Sequence, residues 1–168
     1  MRKLTAGLAF VTAALVVNPV FADTITHKSA RVSITVPSGW IYSSKNDTIT
    51  LQAGSETTDE GDDVFMSFTS VPDRSIKDAV KLAASALGDK VSKLTWEDPK
   101  EVTIHGMKGV LFKGDGWIGK MNIDLALLAL DTPSKDNDLL VIAFGADAAV
   151  ARHSGEIDTI FNSITPKR

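Results

Sequence analysis

The chain has 168 residues and a net charge of −3, with 21 acidic side chains, 18 basic ones and no cysteine. The acidic balance argues against nucleic acid as a partner, because that binding depends on neutralising phosphates with lysine and arginine. Without cysteine the chain has no disulfides and no attachment residue for a lipoprotein anchor.

Residues 1–22 have the three parts of a cleavable secretory signal. A short basic start precedes an apolar run, and Val20 and Ala22 place small residues at the −3 and −1 positions. The apolar run is shorter than the roughly 20 residues that span a membrane. We therefore expect cleavage after Ala22, a periplasmic or secreted location without a stable membrane anchor, and one domain over residues 23–168.

Alternation of apolar and polar residues predicts three strands in the first half of the mature chain, at Arg31–Val36, Thr48–Gln52 and Val64–Val71. The short link between the first two strands predicts that they form an antiparallel pair. Between the second and third strands, Ala53–Asp63 contains two glycines and five acids. This composition predicts an exposed acidic loop.

Apolar residues at helical spacing predict two helices. In the first helix, Ser75 is suited to cap the amino end and Gly88 to end the carboxyl end. Its apolar positions are Ile76, Val80, Ala83 and Leu87. The second helix is expected over Asp147–Ile164, close to the end of the chain.

Four further strands are predicted between the helices, and short turns join them. A tight turn is expected at His105 and Gly106, and another over Gly114–Gly119. Strands so connected form an antiparallel meander. The predicted fold class is therefore α+β, a central antiparallel sheet of about seven strands sandwiched by helices. The four strands are Glu101–Ile104, Gly109–Lys113, Lys120–Leu130 and Leu139–Phe144.

Three segments resemble the PsbP-like superfamily, which includes the extrinsic PsbP protein of photosystem II and the DcrB-like envelope proteins of bacteria. They are the strand and turn Val32–Trp40, the turn Ile104–Gly106 and the helical segment Ile157–Ile164. The likeness extends from about Ala30 to Thr165. It implies an α/β/α sandwich and a protein that binds or supports other proteins, and it carries no shared active site.

The motifs of common enzyme chemistries are missing or lack their context. Gly114–Gly119 spells G-x-G-x-x-G, but a dinucleotide loop must open a helix and a strand is predicted here, so a hairpin turn is favoured. His27, His105 and His153 are far apart in sequence, and no cysteine is available for a zinc site. No G-x-S-x-G elbow occurs. We expect no catalytic residue, no metal and no cofactor.

The acidic loop and one tryptophan form the predicted partner-contact surface. Three interpretations of the loop are open: a calcium site, a solvated flexible loop and a surface for a cationic partner. The missing EF-hand spacing favours the solvated loop over the calcium site. Trp117 is either exposed for a protein contact or partly buried against a neighbouring loop. The residues assigned to this surface are Asp59, Glu60, Asp62, Asp63 and Trp117.

These observations favour an exported, non-enzymatic binding or accessory protein that acts through contacts with another envelope protein. One specific version is an immunity protein against a toxin delivered to the periplasm. The alternative is a small-ligand carrier or sensor, which predicts an apolar cavity between sheet and helix with a few polar groups. A third hypothesis is a hydrolase with an unrecognised site, which predicts several perturbed titratable groups in one cleft.

Overall fold

The computed structural model describes residues 23–53, 63–72, 78, 80, 81, 83, 85, 87 and 90–167. The predicted signal peptide lies outside the described residues, as do acidic-loop residues 54–62. So do Ser75, Ile76 and Gly88 of the first predicted helix.

The described part of the chain contains eleven strands and a long C-terminal helix. We call the earlier helical residues 78, 80, 81, 83, 85 and 87 helix α1. The other elements are β1 (Asp23–His27), β2 (Val32–Val36), β3 (Ile41–Lys45), β4 (Thr48–Ala53), β5 (Val64–Pro72), β6 (Ser92–Trp96), β7 (Lys100–Ile104), β8 (Met107–Ile118), β9 (Met121–Leu130), β10 (Asn137–Ala146), α2 (Asp147–Ser163) and β11 (Thr165–Pro166).

The strands form two sheets, and every pairing between them is antiparallel. The small sheet has the order β1-β2-β11. Within the described residues the large sheet has eight strands, in the order β3-β4-β5-β10-β9-β8-β6, and β7 pairs with the other end of β8. The predicted meander is confirmed as β7-β8-β9-β10, and its first turn has positive φ angles at His105 and Gly106.

The predicted pairing of the first two strands is wrong, because β2 and β4 lie in different sheets. The position beside β4 is taken by β3, which sequence patterning did not predict. Asn46 and Asp47 both have positive φ angles of 49° and 60°, as a two-residue hairpin between twisted strands requires. The tight turn therefore pairs β3 with β4 and leaves β2 to the small sheet.

The predicted turn over Gly114–Gly119 is also wrong for most of its length. Strand β8 continues to Ile118, and the turn follows at Gly119 and Lys120. Gly114 and Gly116 are strand residues where the backbone of β6 comes close. A Cβ at Gly114 would collide with the carbonyl oxygen of Thr95, and one at Gly116 with the side chain of Val91. The glycines permit this close approach.

The core lies on both faces of the large sheet. On one face, buried residues of β4, β5, β9 and β10 pack against the small sheet and α2. On the other face, Val80 and Ala83 of α1 and Trp96 of β6 pack against β8, β9 and β10. The α+β fold class is confirmed, but "sandwiched by helices" overstates the structure because the small sheet forms much of one layer.

Trp40 is a core residue, as its position after the Pro37–Gly39 turn predicted. Its ring is buried, and its indole N–H donates to Glu156 Oε2 of α2 at 3.2 Å. The His153 ring meets it edge to face with centroids 6.0 Å apart. Trp40 therefore joins the β2–β3 connection to the C-terminal helix. Among the described helical residues, no helix has the length and apolar character of a membrane span.

Candidate functional site

A cleft lies beside α2 because the layer above this face is narrower than the large sheet. Seven strands side by side cover about 34 Å, since each occupies about 4.8 Å. Three strands and one helix of about 10 Å diameter together cover roughly 25 Å. Helix α2 contacts β2, β5, β9 and β10. Between α2 and strands β7 to β9 there remains a cleft of about 640 Å³, which we call the α2 cleft.

Apolar residues form a large part of the floor and of the helical wall of the α2 cleft. Ala126 and Leu128 contribute from β9 and Leu111 from β8. On α2, Ile157 and Phe161 are one turn apart, so they lie on the same face of the helix. Both are only partly buried, although they also touch the main core. The cleft therefore exposes apolar surface that continues into the core.

Three carboxylates lie close together at one end of the cleft, and we call this group the acidic end. Asp115 and Asp124 line the cleft, and Asp147 lies behind them, close enough to Asp124 to affect its pKa. Asp115 on β8 and Asp124 on β9 are direct cross-strand partners. Asp147 begins α2 and accepts a hydrogen bond from Asn122 Nδ2 at 2.7 Å. Asp115 accepts one from Thr95 Oγ1 at 2.7 Å. Like charges directly opposite each other across two strands are unfavourable.

This arrangement raises the pKa of the Asp124 carboxyl above its usual value. Burial contributes most, and the negative charges of Asp147 and Asp115 add to the effect, while Lys113 opposes it. Lys113 is the one lysine among the described residues that line the cleft, where the acids are Glu97, Asp115, Asp124 and Asp158. The described residues contain no cluster of histidine and acidic side chains suited to a metal ion.

The structure places two of the five predicted contact residues, Asp63 and Trp117, at the same end of the large sheet. Asp63 directly precedes β5, and Trp117 lies near the end of β8. Strands β10 and β9 separate them, a lateral distance of about 14 Å. Asp59, Glu60 and Asp62 lie outside the described residues.

Trp117 does not lie in the predicted turn but in strand β8, close to the apolar tip of the β8–β9 hairpin. Its side chain is 37% exposed, and Ile118 (37%) and Met121 (38%) are exposed beside it on the β8–β9 hairpin. Lys93 Nζ lies 5.6 Å from the centroid of the Trp117 ring. We call Trp117, Ile118 and Met121 the hairpin tip.

Sequence reasoning missed the residues of the α2 cleft. The motifs considered in the sequence did not include Asp124. The available signal was the alternation along β9, in which Asp124, Ala126 and Leu128 share one face. A carboxylate on a strand face that is otherwise apolar and buried indicates that the covering layer is open at that position.

At the opposite end of the large sheet, Asp47 joins three elements. Its carboxylate accepts hydrogen bonds from Ser29 Oγ at 2.7 Å and from Ser70 Oγ of β5. Its carbonyl oxygen accepts one from Nε2 of the buried His27 at 3.0 Å, since the other ring nitrogen faces the Ala30 amide. Burial acts to raise the pKa of Asp47, but the two serines and His27 outweigh it and lower the pKa.

Comparisons with known proteins show the fold. No protein-family model and no curated protein matches the sequence. Among solved structures, LpqN of Mycobacterium tuberculosis, which is involved in cell envelope biogenesis, matches with a TM-score of 0.63 and 16% identity, over 89% of this chain and 93% of that one. Cyanobacterial PsbP (CyanoP) from Synechocystis sp. PCC 6803 matches with a TM-score of 0.57 and 9% identity, over 90% and 95%. The chain has the PsbP-like fold.

A third solved structure is also similar to this chain. The Ran-binding protein Mog1p of Saccharomyces cerevisiae matches with a TM-score of 0.53 and 12% identity. The match covers 86% of this chain and 94% of that one. The expected resemblance to the PsbP-like proteins is therefore confirmed at the level of fold.

Proposed function

We propose that this chain is an exported, non-enzymatic binding or accessory protein that acts through contacts with another protein of the envelope. The observation that carries the proposal is the hairpin tip. Single exposed apolar residues are ordinary, but three adjacent ones that include a tryptophan are typical of contact surfaces. In this PsbP-like protein the tip extends beyond the packed part of the large sheet.

The charges around the hairpin tip suggest the chemistry of the partner. Asp115, Asp124 and Asp147 lie at the same end of the sheet, as does Asp63 directly before β5. Apolar residues surrounded by acids suit a partner with an apolar patch and a basic rim. An immunity protein that binds a toxin is one specific form of this proposal, because a small acidic exported domain fits such a role.

The test compares the hairpin tip with another exposed apolar site on the same chain. A triple variant, Trp117→Ser, Ile118→Ser and Met121→Ser, is expected to lose a partner that wild-type protein captures from an envelope extract. The matched control is Ile41→Ser with Tyr42→Ser on β3, where Ile41 is 63% exposed. Equal capture by the tip variant and the wild type would reject the proposed surface.

Export is tested separately on the purified protein. We expect Edman sequencing of material from a bacterial host to begin at Asp23, and fractionation to place the protein outside the cytosol. A chain that retains Met1 and remains in the cytosol would contradict the proposed location while leaving the contact surface to be judged on its own.

A small-ligand carrier or sensor is a second candidate, and the α2 cleft favours it. Its volume of about 640 Å³ lies within the range of roughly 300–1,000 Å³ that is typical of ligand pockets. The hydrolase hypothesis expects several perturbed groups in one cleft. The described lining residues provide one, Asp124, which leads us to prefer the two binding functions.

A further inference from the structure

We propose that the α2 cleft binds a small amphipathic cation, with an apolar body over the floor and a protonated amine at the acidic end. The inference rests on the second candidate function, the ligand carrier, and names its ligand class.

The protein leaves apolar surface uncovered inside the cleft. Leu111 on the floor and Phe161 on the helical wall are both partly exposed, and Leu128 lies beside Leu111 on the floor. Covering such surface with an apolar group removes it from water and is favourable. The floor belongs to strands and the wall to a helix, so the cleft exists before any ligand enters.

The acidic end favours a cation, because two of its carboxylates line the cleft and the third lies close by. Asp115 and Asp124 face each other across two strands, and Asp147 adds a third charge from the start of α2. Lys113 is the nearby cation that opposes them. A bound ammonium group would relieve this repulsion, whereas a carboxylate on the ligand would increase it.

The acidic and the apolar positions of the cleft lie in line along β9. Asp124, Ala126 and Leu128 alternate on the cleft face, so the charged and the apolar positions are about 13 Å apart at about 3.3 Å per residue. A ligand of that length can place its amine at the acidic end while its tail lies between Leu128 and Phe161. A headgroup without a tail would leave the apolar floor uncovered.

The experiment uses three probes that share an eight-carbon chain: octylammonium, octanol and octanoate. Calorimetric titration of the full mature domain is expected to show the tightest binding for octylammonium. Octanol is expected to bind about tenfold more weakly, and octanoate more weakly still. Octanoate binding as tight as octylammonium binding would overturn the proposal.

Variants assign the binding to the cleft. Asp115→Asn with Asp124→Asn should weaken octylammonium about tenfold and leave octanol unchanged. Ala126→Leu should weaken both probes by filling the floor. Asp136→Asn, an exposed acid in the β9–β10 connection, is the matched control and should change neither. Thermal melts verify that every variant is folded.

The outcomes separate the ligand class from the carrier function. If octanol and octylammonium bind equally, and the asparagine variant affects neither while Ala126→Leu weakens both, the cation proposal fails and the carrier function remains. If none of the three probes binds to the folded domain, both fail. Tight octylammonium binding that persists unchanged in the asparagine variant rejects the acidic end as its site.

Discussion

Two halves of one sheet face differ in how completely they are covered. Beneath the small sheet, Leu51, Met66 and Phe68 of the large sheet are fully buried against Val32 and Ile34. Beside α2, Leu111 and Phe161 remain partly exposed in a cleft of about 640 Å³. Both halves use the same alternation of side chains along strands. The width of the covering layer, rather than the pattern, separates the closed half of the face, beneath the small sheet, from the half that contains the cleft.

The largest expected loss of stability tests whether the closed half of the sheet face provides most of the free energy of unfolding. Phe68→Ala should lower the free energy of unfolding by about 3–5 kcal/mol, since it removes a fully buried ring from a closed core. Phe161→Ala in the cleft wall should lower it by only about 1–2 kcal/mol, because its ring is already partly solvated. Urea unfolding measures both values, and equal losses would remove the distinction between the halves.

The next effect concerns the outer edge of the cleft half, where β6 packs closely on β8. Gly114→Ala should lower the free energy of unfolding by about 1–3 kcal/mol, because the new Cβ collides with the Thr95 carbonyl and the Trp96 ring. Gly155→Ala in α2 meets nothing within 4 Å and should instead raise it by about 1 kcal/mol. Thermal melts of the two variants should therefore shift in opposite directions.

A smaller effect is expected where Asp47 joins the two sheets of the closed half. Asp47→Asn keeps a residue that tolerates positive φ but loses the charged acceptor of Ser29 and Ser70. Because Asp47 is exposed, we expect a loss of about 1 kcal/mol at pH 7.

The pH dependence of Asp47→Asn follows from the lowered pKa of Asp47. This carboxylate stabilises the fold above its unfolded-state pKa, and that contribution is lost as the pH falls through the lower folded-state value. Unfolding curves of wild type and variant should therefore converge in acid. A difference that stays constant down to pH 2 would mean that the charge plays no part.

The smallest expected change is a gain in the free energy of unfolding, and it comes from Asp124 in the half that contains the cleft. The raised pKa of Asp124 means that the native state binds its proton more tightly than the unfolded state does. Stability therefore falls as the pH rises from the unfolded-state pKa to the folded-state pKa. Asp124→Asn should be more stable than wild type by about 0.5 kcal/mol at pH 7 and equal to it in strong acid. A variant less stable at pH 7 would show that Asp124 supports the fold.

The pattern of apolar and polar residues predicted best the strands and the helix that have one buried face. Strands β2 and β4 bury every second residue, β5 does so from Val64 to Phe68, and α2 was predicted to within one residue of its end. Strand β3 was missed because all five of its residues are exposed, so no alternation marks it. Strand β6 was missed for the same reason, since none of its residues is fully buried.

The sequence by itself determined the α+β class, the meander and the resemblance to the PsbP-like proteins, because these depend on local periodicity and turn residues. Only the tertiary structure decided which sheet β2 joins and where the α2 cleft opens. The cleft unites Leu111, Asp124 and Phe161, which are distant in sequence. It depends on the relative widths of two layers, a quantity that no local pattern encodes.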